Sequence, residues 1–405
     1  MTATLTTVNA LLKEMYEGET NDQLNDEAIT IKRIERTSEG VEDNIGGQHV
    51  VFPVRTKRNA GISYRAEDTQ LASPGKQGYA RALENLQYGY GRFQITGPAM
   101  ALAETKPQTF MSAMDGEMEG LKDDLVKDSN RIAWGHVDNT VTNGGTGILG
   151  KLSAYTAGTP SITVDNPRNF DIDMVIDVIN PTGSVVRGTV TVTDVDYDTG
   201  IVTISGTVTG AAANDYAART GNFKLEPYGI LALVGASGTV HGIDSSAAGN
   251  GYWKSVVDST TTTLTEQSMI ALCDKIRQNS GGKPSAIFCS LGVRRAYYNI
   301  QLSLRRYMDP KEFPGGLVGL SFNHGKEIPL VEDPDAPAKH AAFLEEKEMK
   351  HFRKKDWYFE DSDGAILKWV DDYDKFQGLM KKYWQLGTHK RGAHGLMSNI
   401  TEPSI

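Results

Sequence analysis

VEDNIGGQHVVFPVRT (41–56) and LENLQYGYGRFQITGPAMALA (83–103) read as two β-rich arms, and between them lies KRNAGISYRAEDTQLASPGKQGYARA (57–82). The middle is rich in Gly, Arg, Lys and small polar residues, with Pro74-Gly75 as a turn signal. It offers too little apolar surface to bury. A two-stranded ribbon of this length does not offset its own conformational entropy in water, so it must lie on something else. Strand edges and cations displayed this far from a core point to contacts between copies of the same chain.

Working outward, residues 1–40 read as an arm. A short amphipathic helix is expected over Leu5–Tyr16, with Leu5, Val8, Leu11, Leu12 and Met15 on one face, followed by an acidic polar segment. After the ribbon, a long helix is expected from about Lys106 to His136, with Thr105 and Pro107 as start signals. Its stripe is Phe110, Met114, Met118, Leu121, Leu125 and Ile132, weakened by Gly116 and Gly120. Between Ser161 and Thr220 the composition changes to period-two alternation in VVRGTVTVTDVDY and IVTISGTVTG, joined at Asp198-Thr199-Gly200, which reads as a small all-β insertion. Mixed α/β sequence then returns. A capping box at Thr263 to Glu266 opens a helix that stops at Gly281-Gly282, SAIFCS is a buried strand, and Ser290 caps a second helix through LGVRRAYYNIQL. Strands follow at GLVGLSF, EIPLVE and AAFLEE, and HFRKKDWYFEDSDGAILKWVDDYDKFQGLMKKYWQLG supplies the sheet under the long helix.

Totals set limits on function. The chain has 405 residues and 39% hydrophobic content, enough for two or three cored units. Its net charge of -9 disfavours general nucleic-acid binding. No stretch approaches a membrane span, and no secretory signal pattern opens the chain. Cys273 and Cys289 sit in the apolar runs MIALCDKI and SAIFCSL and read as buried reduced thiols.

No motif makes a coherent catalytic or metal site. GGTGILG (144–150) has dinucleotide-fingerprint spacing, but KLSAYTAGTP after it will not make the phosphate-binding helix, so it reads as a turn. EDSDG (360–364) lacks the remaining ligands of a calcium loop. Asp333 and Asp335 in VEDPDAP read as solvated charges in a proline-bounded loop. The eight histidines show no ligand pair, and Arg294, Arg295, Arg305 and Arg306 read as a solvated or intersubunit face, with a pore-lining or DNA-facing role as the alternative.

Taken in order, LTTVNALLKEMY, GGQHVVFPVRTKRNAGISYRAEDTQL, LQYGYGRFQITG, GGKPSAIFCSLGVRRAYYNI, GKEIPLVEDPDAP and WYFEDSDGAILKWVDDYD resemble the major capsid proteins of tailed bacteriophages. That Hong Kong 97-type fold is shared with encapsulin shells. The resemblance implies an α+β chain with an N-terminal arm at 1–49 and an extended loop at 50–96. It implies a peripheral domain at 97–141 and 343–395, with the long helix as its spine. The axial domain would be 142–160 and 222–342, the β insertion 161–221, and the C-terminal tail 396–405. It further implies an icosahedral head, assembled in the bacterial cytoplasm from hexamers and pentamers of this chain. Double-stranded DNA would be enclosed with weak contact. A portal protein and a separate scaffolding protein are the other expected partners, a decoration protein is left open, and no catalysis, cofactor, metal or membrane is expected. No Asn or Glu matches the crosslinking chemistry of some members, so that chemistry is not carried over.

Intersubunit contacts are expected between ribbon cations Arg55, Lys57, Arg58, Arg65 and Lys76 and the acidic face of the spine helix at Glu117, Asp123 and Asp124. Arm cations Lys13, Lys32, Arg33 and Arg36 are expected to be offset by Glu14, Glu17, Glu35 and Glu39. Two other readings remain at this point: an encapsulin-like compartment, and an α/β enzyme or carbohydrate-binding protein using the insertion.

Overall fold

The computed structural model describes residues 28–36, 41–42, 49–98, 107–138, 145–304, 321–323, 327–361 and 367–403. The expected helix at Leu5–Tyr16, Lys13 and Arg305 and Arg306 lie outside them.

Helix α1 (Ile29–Arg36) is followed by β1 (Val41–Glu42), and then by β2 (His49–Lys57) and β3 (Gly78–Asn85), which pair antiparallel as a separate ribbon. β4 (Gln87–Thr96) leaves that ribbon for another sheet. The long helix α2 (Pro107–Trp134) has 28 residues and is about 42 Å long. It begins on Pro107, whose missing N–H is no loss in a first turn. It ends at Gly135, whose φ of +73° lets its N–H return to the Arg131 carbonyl.

Strands β5 (Ile148–Ala154), β6 (Ser161–Val164), β7 (Val175–Ile179), β8 (Val186–Asp196), β9 (Ile201–Ile204) and β10 (Tyr216–Arg219) close into a barrel in the order β10-β5-β6-β9-β8-β7. Its alternating residues fill their own core with Leu149, Leu152, Val164, Phe170, Val178, Val192 and Val202. The all-β stretch thus begins upstream of Ser161, because β5 pairs with both β6 and β10. The Gly-rich run before it leads into this strand and not a helix, which removes the dinucleotide reading. The Asp198-Thr199-Gly200 turn forms as expected, with the Asp196 carboxylate accepting from the Asp198 and Thr199 N–H groups.

Next come α3 (Ile230–Leu233), the hairpin β11 (Thr239–Val240) with β12 (Ile243–Asp244), β13 (Val256–Asp258), α4 (Glu266–Ser280), β14 (Ala286–Cys289) and α5 (Leu291–Leu304). The α4 cap is Thr265, completed by Ser268, two residues later than the sequence spacing indicated; Gly281 ends the helix at φ +71°. Ser290 caps α5 by accepting from the Val293 N–H. The chain closes with β15 (Ser321–Asn323), β16 (Glu327–Glu332), β17 (Ala341–Leu344), β18 (Met349–Arg353), β19 (Tyr358–Phe359), β20 (Leu367–Trp369), β21 (Lys375–Thr388) and β22 (Gly395–Met397).

Two six-stranded sheets hold the body together. The mixed sheet β13-β22-β17-β14-β16-β15 has a wholly buried β14, with Phe288 in the core shared with α2 and Ile287 in the core under α4 and α5. In the second sheet β21 is the hub, pairing with β18, β19 and β20 on one side and with β4 along its whole length on the other. The long helix lies on this sheet, because a Cβ on Gly91 would stand 2.6 Å from the Leu125 Cδ1. A Cβ there would push the leucine side chain aside. Both cysteines are buried, and burial pushes each thiol up to about 12. No helix among the described residues is long and apolar enough to cross a membrane.

Candidate assembly surfaces

The ribbon is held at its root and bare at its tip. At the root, the Leu83 N–H donates to the His241 carbonyl (3.0 Å), and Phe52 packs against Phe352, His389 and His241. The His241 ring is fully buried. Its Nε2 accepts from the Thr388 N–H (3.1 Å), so its Nδ1 carries the proton and donates to Glu84 Oε2 at 2.8 Å. Gln385 Nε2 also donates to Glu84, tying β3 to β21. Beyond Lys57 no regular element supports the chain until Gly78. There Ile62, Tyr64 and Leu71 stand 80%, 99% and 82% exposed.

Arg55, Lys57, Arg58, Arg65 and Lys76 are all exposed, and none makes an ion pair among the described residues. Arg55 donates to Gln77 and Arg65 contacts Ser63, both within the ribbon. Glu117, Asp123 and Asp124 are exposed on α2. Both sets are exposed, and among the described residues no ion pair joins the ribbon cations to these acids.

Behind Asp124 a cleft of about 580 Å³ opens between α2 and the barrel. Leu121, Leu125, Tyr90 and Gly91 line one wall, and Arg168, Ile172 and Tyr197 of the barrel line the other. Its floor is an ion network. Arg131 pairs with Asp128 (2.9 Å) and Glu226 (2.7 Å), and Arg219 reaches Asp128 at 3.4 Å. Burial alone would raise Asp128, but the two guanidinium groups outweigh it and hold the carboxyl below its usual range. Burial raises Asp335 at the cleft margin, with Asp333 adding to the effect.

Asp333 departs most from its sequence reading. It is fully buried and accepts from the Thr30 N–H (3.1 Å), the Thr30 hydroxyl, Asn130 Nδ2 (3.1 Å) and the Asp335 N–H (2.9 Å). One carboxylate thus ties α1, α2 and the loop after β16 together. Nothing local could have signalled this, because its partners lie 303 and 203 residues away. Of the arm cations, Arg33 pairs with Glu346 at 2.6 Å. Arg294 pairs with Glu332. Among the described residues, no three His, Cys, Asp or Glu side chains are grouped to hold a metal.

No family model matches the sequence, and no curated protein matches it. Solved structures do. Over 99% of this chain and 100% of the other, the chain is similar to the cyanophage A-1(L) capsid asymmetric unit, with a TM-score of 0.62 and 13% identity. It is similar to the capsid of a native GTA particle (TM-score 0.50, 8% identity, 99% and 100% of the two chains). It is also similar to a Gordonia phage Cozz chain (TM-score 0.50, 9% identity, 99% and 96%). At such identities the likeness is one of fold, and the chain has the Hong Kong 97-type fold of phage capsid proteins.

Proposed function

We propose that this chain is the major subunit of the icosahedral head of a tailed bacteriophage. It closes as hexamers and pentamers around double-stranded DNA, with a portal, a separate scaffolding protein and a decoration protein as partners. The observation that carries this reading is the ribbon. From His49 to the turn at Asp68, extended backbone can reach up to about 60 Å, against a radius of gyration of about 22 Å for a compact chain of this length. A free subunit has no reason to hold Tyr64 99% exposed at the end of such a lever. A neighbouring subunit supplies one.

On this reading the work is conformational and interfacial, with no turnover. Cations of the ribbon tip, Arg55, Lys57, Arg58, Arg65 and Lys76, lie along the acidic outer face of a neighbour's α2 at Glu117, Asp123 and Asp124, which fixes register more than affinity. The net charge of -9 suits an inner wall that does not adhere to DNA. The test is purification of the chain expressed with its phage neighbours, followed by nuclease treatment and analysis of particle contents. Protected double-stranded DNA is the expected result, and a protein cargo in its place would identify an encapsulin-like compartment.

A further inference from the structure

We propose that the barrel is a lid on α2, held off the helix by a polar latch, and that on release of the latch it swings about its neck and closes the cleft. Barrel and body share no apolar core. Among the described residues, the buried apolar clusters of the barrel contain nothing from the body, and those of the body contain nothing from the barrel. The barrel strands pair only with one another. What spans the joint is polar. Lys151 pairs with Asp138 at 2.9 Å and Arg219 with Asp128 at 3.4 Å. His136 Nδ1 accepts from the Asp138 N–H, so its Nε2 carries the proton and donates to Asp165 Oδ2 at 3.3 Å. Burial would raise Asp165, but His136 and the Lys151 N–H outweigh it and hold the carboxyl below its usual range. Lys151, Arg219 and Asp165 are each partly open to water, so salt screens all three pairs.

The neck consists of two chain passages. The Gly145 N–H donates to the Glu226 carbonyl (2.7 Å), and the Lys224 N–H donates to the Thr146 carbonyl (3.0 Å). Beside this bridge Gly147 and Gly221 have φ of +70° and +78°, where glycine turns freely, so small rotations there move the barrel as one body. The cleft gives it room. Ile172 and Tyr197, 62% and 59% exposed on the barrel wall, stand across from Leu121 and Leu125 of α2. Closing buries these four side chains together and brings Arg168 and Asp171 of the barrel toward Asp124 and Lys127, of opposite charge. A sulfate salt acts on both positions in one direction, because it screens the latch and strengthens apolar burial. Closure also covers Asp124, one of the acids offered to a neighbour's ribbon cations. On the shell reading, then, the closed position holds a free subunit back from assembly.

Dissociated full-length subunits with spin labels at Asp198→Cys on the barrel and Glu117→Cys on α2, both exposed, test the lid apart from assembly, so its failure and that of the shell reading are separable. Cys273 and Cys289 are buried and do not take the label. The label separation, read by dipolar spin resonance, should shorten between low salt and about 0.5 M sodium sulfate. Lys151→Gln with Arg219→Gln should shorten it already at low salt, and Ile172→Glu should abolish the shortening. A separation that neither sulfate nor the latch variants move would overturn the proposal, as would one that lengthens. Should the variants not fold, the unaltered chain decides. Nitration of Tyr197, mapped by mass spectrometry, should slow in sulfate relative to that of Tyr64, which its own copy leaves in water. An unchanged ratio would overturn the closure.

Discussion

Replacing Asp333 with Ala should detach α1 from the body. The substitution removes the acceptor of the Thr30 N–H and of the Thr30 hydroxyl and one of the two acceptors of Asn130 Nδ2, which keeps Asp335 Oδ2 (2.6 Å), all three donors being buried. Each buried donor left without an acceptor costs about 1–3 kcal/mol, and part of that returns if water enters the space. These losses together should cost about 3–5 kcal/mol, a large share of the stability of an ordinary domain. Asp333→Asn keeps one acceptor and turns an amide toward the remaining donors, so it should lose about half as much. Urea unfolding of dissociated subunits measures both, and limited proteolysis should show new cleavage near Ile29–Arg36 in the Ala variant first. A loss below about 1 kcal/mol for Asp333→Ala would refute the view that this carboxylate ties the helices together.

The buried His394 gives a pH dependence. Burial, with Lys390 nearby, lowers its pKa to about 3 from an ordinary 6.5, so between those values the unfolded chain takes up a proton that the folded chain refuses. Its contribution is present above about 6.5 and falls by about 1.4 kcal/mol per pH unit as pH drops toward 3. His394→Gln can still accept from the Glu345 N–H and donate to Thr388, and should flatten unfolding free energy against pH in that window. An unchanged slope would assign the dependence to other groups. Gly229→Ala should destabilise by about 2 kcal/mol or more in thermal unfolding, since the new Cβ would meet the Trp134 carbonyl oxygen at 2.4 Å and the Gly135 nitrogen at 2.6 Å; a neutral result would mean that the end of α2 yields easily. Excising 147–222 and bridging the ends that Gly145 and Glu226 already hydrogen-bond (2.7 Å) should leave a soluble folded body, judged by gel filtration and circular dichroism. Excising only 161–221 should give insoluble protein, because β5 would lose both neighbours and expose Leu149 and Leu152.

Features legible in the sequence were those fixed by local rules. Period-two alternation marked β8 and β9 of the barrel, the spacing of Leu121 and Leu125 marked the buried face of α2, and the apolar run at Cys289 marked a strand covered on both faces. The bare ribbon tip was legible from what it lacks. Interactions across the chain were not legible. Asp333 looked like one more charge beside a proline, and its burial depends on Thr30 and Asn130 arriving from distant segments. The GGTGILG run carried the right spacing for a phosphate loop and the wrong continuation, a strand whose partner β10 lies more than sixty residues on, about the span of the barrel itself. The cap of α4 fell on Thr265, where Ser268 closes the box, although Thr263 and Glu266 have the same spacing, because TTTLTEQS offers several equivalent hydroxyls. The cleft had no signature at all, since its two walls come from elements that no sequence period relates.

Electron microscopy of the purified full-length chain tests the central claim most directly. The account predicts closed particles with pentameric and hexameric clusters, and, in their reconstruction, the ribbon of each subunit lying on its neighbour with Tyr64 covered. Monodisperse single subunits at high concentration, with Tyr64 still open to solvent and to chemical labelling, would contradict it.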